Sequence, residues 1–153
     1  MRVLKNILIG FGVLFVLVIA FISWIGVSSS HFRKAQTPFV ETFFTDLSKH
    51  WDIADVYDRL EAPIIEQAET PHGQDLLRQF KKLGALRSVR DLELRSFKAN
   101  NRTRTGSFSF KGAFENGEAV VNVIVVERDA TVRVFGFSLR GVVMRHEASK
   151  LKT

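Results

Sequence analysis

Between Ile7 and Val27 the chain runs 21 residues without a charge, 17 of them apolar. A helix of that length rises about 30 Å, the thickness of a bilayer's hydrocarbon core. A cleaved signal peptide has a shorter apolar stretch, about 7–15 residues, and a small-x-small cleavage site. Here the only cleavage-like ending is Val27-Ser28-Ser29, so the run reads as a retained anchor. Trp24 suits an interfacial aromatic near its far end. Gly10 and Gly12 are too closely spaced to form a small-xxx-small dimer face. Arg2 and Lys5 precede the run, and Arg33 and Lys34 follow it. Although the second pair blunts the positive-inside rule, the short basic tail resembles that of a bacterial signal anchor. The expectation is a single-pass protein of the bacterial inner membrane, N-terminus cytoplasmic and globular domain periplasmic.

The rest divides into a basic tail over 1–6, the anchor over 7–27, a polar link over 28–36, a globular domain over 37–141 and a tail over 142–153. Thr37-Pro38 has the form of an N-cap followed by proline at the first helical position. Phe39, Val40, Phe43, Phe44, Leu47 and Trp51 follow at helical spacing. Asp52 can cap a second short helix with Ile53, Val56, Tyr57 and Leu60 on one face. Pro63 starts a turn or short helix, and Thr70-Pro71 repeats the cap signal before Leu76, Leu77, Phe80 and Leu83. Gly84 suits the left-handed position after that helix.

The period then changes. Leu92, Leu94 and Phe97 begin an extended stretch, and Phe108, Phe110 and Phe114 share one strand face. Glu115-Asn116-Gly117-Glu118 signals a type I′ hairpin, and Arg128-Asp129-Ala130-Thr131 a tight connection without glycine. Ala119–Val126 is apolar on both faces except at Asn122, as in a central strand, and Val132–Leu139 forms the last one. Helices first and a meander of about four antiparallel strands afterwards make an α+β domain.

This order resembles the superfamily named after nuclear transport factor two, and small membrane-tethered bacterial cystatin-like domains within it. The likeness spans about 36–141. It is carried by Phe80-Lys81-Lys82-Leu83-Gly84 and by the Trp51 to Tyr57 stretch. It implies a cone-shaped fold in which helices close over a curved sheet, with room for a pocket. It implies no reaction, because the fold hosts enzymes, ligand binders and assembly modules alike.

Chemical signals are sparse. The chain has no cysteine, which excludes a disulfide scaffold and thiolate chemistry. His31, His50, His72 and His146 show no metal-ligand spacing, and no phosphate-cradling glycine loop or nucleophile motif is present. Neither a metal nor a cofactor is therefore expected. Without Arg2 and Lys5, 20 basic residues face 16 acidic ones, a net of about +4. Scattered cations without a stacking motif argue against nucleic acid and fit attraction to anionic headgroups.

Three readings of function follow. The leading one is a non-catalytic interaction module of an envelope assembly, pairing with a protein partner or a second copy through Val121, Val123, Val125, Phe135 and Phe137. The alternative is a binder of a small apolar ligand or lipid, lined by Phe39, Phe43, Trp51, Tyr57, Phe108 and Asn122. The third is a proton-transfer enzyme using Asp52 or Asp55 with Tyr57.

Overall fold

The computed structural model describes residues 29–145, so the apolar run over 7–27 lies outside the described residues. Among the described residues no helix is long and apolar enough to cross a membrane. The chain separates into two compact units, Met1–Ala35 and Gln36–Thr153, and the second holds the fold analysed below. Its described part is α+β, with helical segments preceding an open four-stranded antiparallel sheet.

The first helix, α1 (29–50), runs straight through Pro38. Thr37 is therefore no N-cap, and most of the stretch read as a polar link over 28–36 is helical. The reason is the stripe Gln36, Val40, Phe43, Phe44 and Leu47, all buried, which begins before the proline. Packing of that stripe outweighs the one ladder bond that proline removes. Gln36 donates to the Glu127 carboxylate (3.1 Å), and the buried Ser48 hydroxyl accepts the Leu86 N–H (2.8 Å), tying α1 to the sheet.

Trp51 ends α1 in the left-handed region (φ 51°), its N–H on the Leu47 carbonyl. Asp52 then caps a 3-10 segment, Ile53–Arg59, accepting the Ala54 N–H. The segment kinks at Val56 (φ −129°, ψ 16°), which keeps Ile53 and Val56 buried and turns Tyr57, just beyond the kink, outward. The expectation that Tyr57 packs on the apolar side is thus corrected: it is 54% exposed. After α2 (Ala62–Glu69), Thr70 caps α3 (Pro71–Lys81) by accepting the Gly73 N–H, with Pro71 at the first position as expected. A Cβ at Gly73 would collide with the Gln67 carbonyl, so this glycine permits the close α2–α3 approach. Gly84 has the expected positive φ (79°).

Four long strands follow in sequence order: β1 (Leu86–Asn100), β2 (Thr103–Phe114), β3 (Gly117–Arg128) and β4 (Thr131–Met144). β1 starts earlier than its apolar pattern suggests, because Leu86–Arg90 pairs with β2 through backbone bonds despite its charges. A register shift at Asp91 (φ 54°) then restores the alternation of Leu92 and Leu94. Likewise β4 continues past Gly141 (φ 56°), where the register shifts, to Met144.

The inner sheet face carries Phe108, Phe110, Phe114, Val121, Val123, Val125 and Val134, all buried. Edge-to-face contacts join it to α1, Phe44 to Phe110 (5.4 Å) and Phe43 and Phe44 to Phe137 (6.3 and 5.6 Å). This overturns the proposed interaction face. Val121, Val123 and Val125 are buried in the core, Phe137 is half-buried against Phe43 and Phe44 of α1, and Phe135 is exposed (44%). β3 is apolar on both faces, so its alternation does not show which one the helices cover. A bulge, with Val125 opposite Val134 but Ile124 opposite Gly136, then puts Phe135 and Phe137 on opposite faces despite their two-residue spacing.

The turns also exchange roles. Neither Asn116 nor Gly117 has a positive φ, so Asn-Gly does not form a type I′ turn. Its backbone is held by tertiary bonds, Glu115 N–H to the Ala85 carbonyl and Asn116 N–H to that of Leu83. Gly117 is needed for space, since a Cβ there would strike the Val143 carbonyl. The two-residue Asp129-Ala130 turn instead has both positive angles (49° and 66°). Ala130→Gly is expected to stabilise the domain by about 0.5–1 kcal/mol, read from the urea midpoint, because alanine is strained there. Gly117→Ala is expected to lower the same midpoint.

Candidate functional site

A cleft of about 440 Å³ opens between the 3-10 segment, α2, α3 and β4. Its walls are Ile53, Ile64, Leu76, Leu77, Phe80 and Phe137. The 3-10 segment and α2 reach β4 through Glu61, whose N–H bonds the Val134 carbonyl (2.9 Å), and through a parallel bridge from Leu60 to Val134. One end, at the α2–α3 junction, is polar, with Gln67, Thr70 and His72. Thr70 spends its hydroxyl on the Gln67 carbonyl (2.6 Å) and the Gly73 N–H (3.1 Å). The exposed Gln67 amide and His72 ring make no hydrogen bond among the described residues. The volume falls in the range of small-molecule sites, and apolar walls with few polar groups are their usual chemistry.

None of the six ligand-pocket candidates lines this cleft. Phe43 and Phe108 are fully buried core rings, and Phe39 is half-buried and stacked on Phe43 (6.3 Å). Trp51 is buried between Phe80 and Phe114 (5.6 and 5.8 Å), and its indole N–H donates to the Gly84 carbonyl (3.0 Å). Tyr57 is exposed. Asn122 stands on the outer sheet face, half-buried between its register partners Ser109 and Ser138, so its break in the apolar pattern marks a polar row rather than a cavity. Of the sequence candidates only Phe137, assigned to an interaction face, borders the cleft. Leu76 and Leu77 are adjacent apolar residues on α3, and their wide stripe is the one sequence signal that pointed there.

The acidic cluster does not converge on the cleft either. Asp52, Asp55 and Tyr57 are exposed, and Asp52 is occupied with its cap. Asp55 meets the His50 ring (Oδ2 to Nδ1, 2.8 Å), and the Arg59 guanidinium reaches only its main-chain carbonyl (3.5 Å). The 3-10 spacing turns Arg59 toward α1, where it donates to Asp46 (3.0 Å). A second, smaller hollow of about 220 Å³ is bordered by His50, Asp52, Gln74, Arg78 and Lys81 and by Trp51, a ligand-pocket candidate that thus lines this hollow and not the cleft. No group of three metal-ligating side chains occurs among the described residues.

The Arg59 hydrogen bond holds the Asp46 carboxyl below the usual carboxylate range; partial burial opposes this and Lys49 adds to it. Comparison with known proteins returns no matching family model, curated relative or solved structure.

A carboxyl with a lowered folded-state pKa stabilises the fold above its unfolded value, and that contribution disappears as pH falls through the folded value. Thermal unfolding followed from about pH 5 to about pH 2 is therefore expected to show an acid loss of Tm in the native chain. Asp46→Asn is expected to flatten part of that loss. Identical slopes for both chains count against the Asp46–Arg59 bond.

Proposed function

We propose that this chain is a membrane-tethered, non-catalytic binding module of the bacterial envelope that holds a small apolar molecule with one polar end in the cleft between α2, α3 and β4. The observation that carries the reading is the cleft itself, with aliphatic and aromatic walls and two uncommitted polar side chains, Gln67 and His72, at one end. Apolar burial supplies affinity there, while hydrogen bonds at the α2–α3 junction orient the ligand. The tether rests on the uncharged run over 7–27, and the periplasmic placement on the basic residues before it. Helices followed by a meander support kinship with the nuclear-transport-factor-two-like and cystatin-like domains.

The pairing reading has less support, because three of its five residues are buried in the core and a fourth, Phe137, packs its ring against α1.

Native mass spectrometry of the full chain, released from membranes in mild detergent, is expected to show a retained small molecule. Ala68→Trp fills the cleft from α2 and is expected to abolish that adduct while the folded spectrum persists; an adduct of undiminished intensity refutes the site. Alkaline phosphatase fused after Thr153 is expected to be active, whereas an inactive fusion overturns the periplasmic placement.

A further inference from the structure

The outer sheet face, opposite α1, has its own chemistry along β4. Register places Arg133 beside Val126, Gly136 beside Ile124 and Arg140 beside Val120 on this face. Phe135, the extra residue of the bulge, alternates with the buried Val134 and so joins them. Ile124, Phe135 and Val143 are 39%, 44% and 53% exposed. A Cβ at Gly136 would meet nothing within 4 Å, so Ile124 and Phe135 stand beside open space.

Charge on this face is divided. Toward β1 three cations are paired, Arg90 with Glu118, Lys111 with Asp91 and Arg95 with Glu93, each at 3.4 Å, while Lys98, in register with Thr105, has no carboxylate partner among the described residues. Toward β4, Arg133 and Arg140 have no carboxylate partner among the described residues. Exposed apolar side chains flanked by uncompensated arginines are the composition that an anionic lipid surface takes up, the rings and aliphatics entering the headgroup layer and the cations meeting phosphate.

We infer that the β4 half of the outer face, centred on Phe135 with Arg133 and Arg140, docks the domain onto anionic lipid headgroups. A second copy is the poorer occupant. An isologous contact through β4 brings Arg133 and Arg140 against residues of their own sign, which opposes association. Docking uses the side chains of the face away from α1 and meets the ligand cleft only at Gly136, which has no side chain and borders both. It shares only the membrane tether with the function proposed above.

The cysteine-free sequence permits a clean test. Full-length Phe135→Cys, labelled with an environment-sensitive dye, is reconstituted into vesicles of phosphatidylcholine alone or with phosphatidylglycerol added. The expected result is a blue shift of emission only with phosphatidylglycerol, reversed at high salt because about 1 M salt shortens the screening length to about 3 Å. Arg133→Gln and Arg140→Gln are each expected to lower the docked population about fivefold. The same dye at Glu66→Cys, on α2, is expected to report no shift.

Equal emission in both vesicle types overturns the inference. So does a shift that rises with protein-to-lipid ratio and survives salt, which identifies a second copy, or one that appears only when another protein is added. Flotation of the same vesicles after alkaline carbonate treatment reads the tether separately: release of the chain defeats the anchor, whereas retention without a blue shift defeats the docking alone.

Discussion

Trp51 stands in a left-handed backbone conformation (φ 51°), which costs an ordinary L-residue about 1–2 kcal/mol. Nothing in α1 offsets that cost. The compensation is tertiary: the indole N–H reaches the Gly84 carbonyl, and the ring lies against Phe80 of α3 and Phe114 of β2. One side chain thus joins the end of α1, the end of α3 and the last turn of the β2 strand. Burial of an indole contributes several times the strain, so the chain can stop α1 abruptly and set off into the 3-10 segment. That reversal brings Ile53 to the cleft wall and sends Arg59 back to Asp46.

The loop around Gly84 shows the same dependence from the other side. Leu83 and Ala85 offer their carbonyls to the turn at Glu115 and Asn116, and the Asn116 side chain donates to the Lys82 carbonyl (3.0 Å). The β2–β3 turn is therefore shaped by the helix end it touches. This explains why Asn-Gly, a strong local signal for positive φ, adopts another geometry. The Asp129-Ala130 turn has no described tertiary backbone bond and keeps the geometry that strand twist demands, even with a residue that resists it.

These constraints separate two surfaces with different chemistry. The inner side of β4 closes a cleft with α2 and α3, apolar along its walls and polar at the Gln67–His72 end. Along the outer side, arginines and exposed apolar residues alternate. Part of the chain's modest positive charge lies on the β4 half of the sheet, at Arg133 and Arg140, which have no carboxylate partner among the described residues.

Much was legible from residue order alone. Helical spacing from Phe39 to Trp51, the Thr70-Pro71 cap, the Gly84 stop and the phenylalanine alternation of β2 determined the element types, because each depends on a few neighbours along the chain. The change from helical to two-residue period determined the α+β class. What only the tertiary structure decided is which face of an apolar strand is buried, where a bulge inverts the alternation, and which carbonyl each turn amide meets. Those choices turned Phe137 toward α1 and the cleft and left Phe135 outside, moved the cleft away from Tyr57 and Asn122, and exchanged the two hairpin geometries. The physical reason is common to all of them: each depends on atoms brought from tens of residues away, and a local pattern carries no information about them.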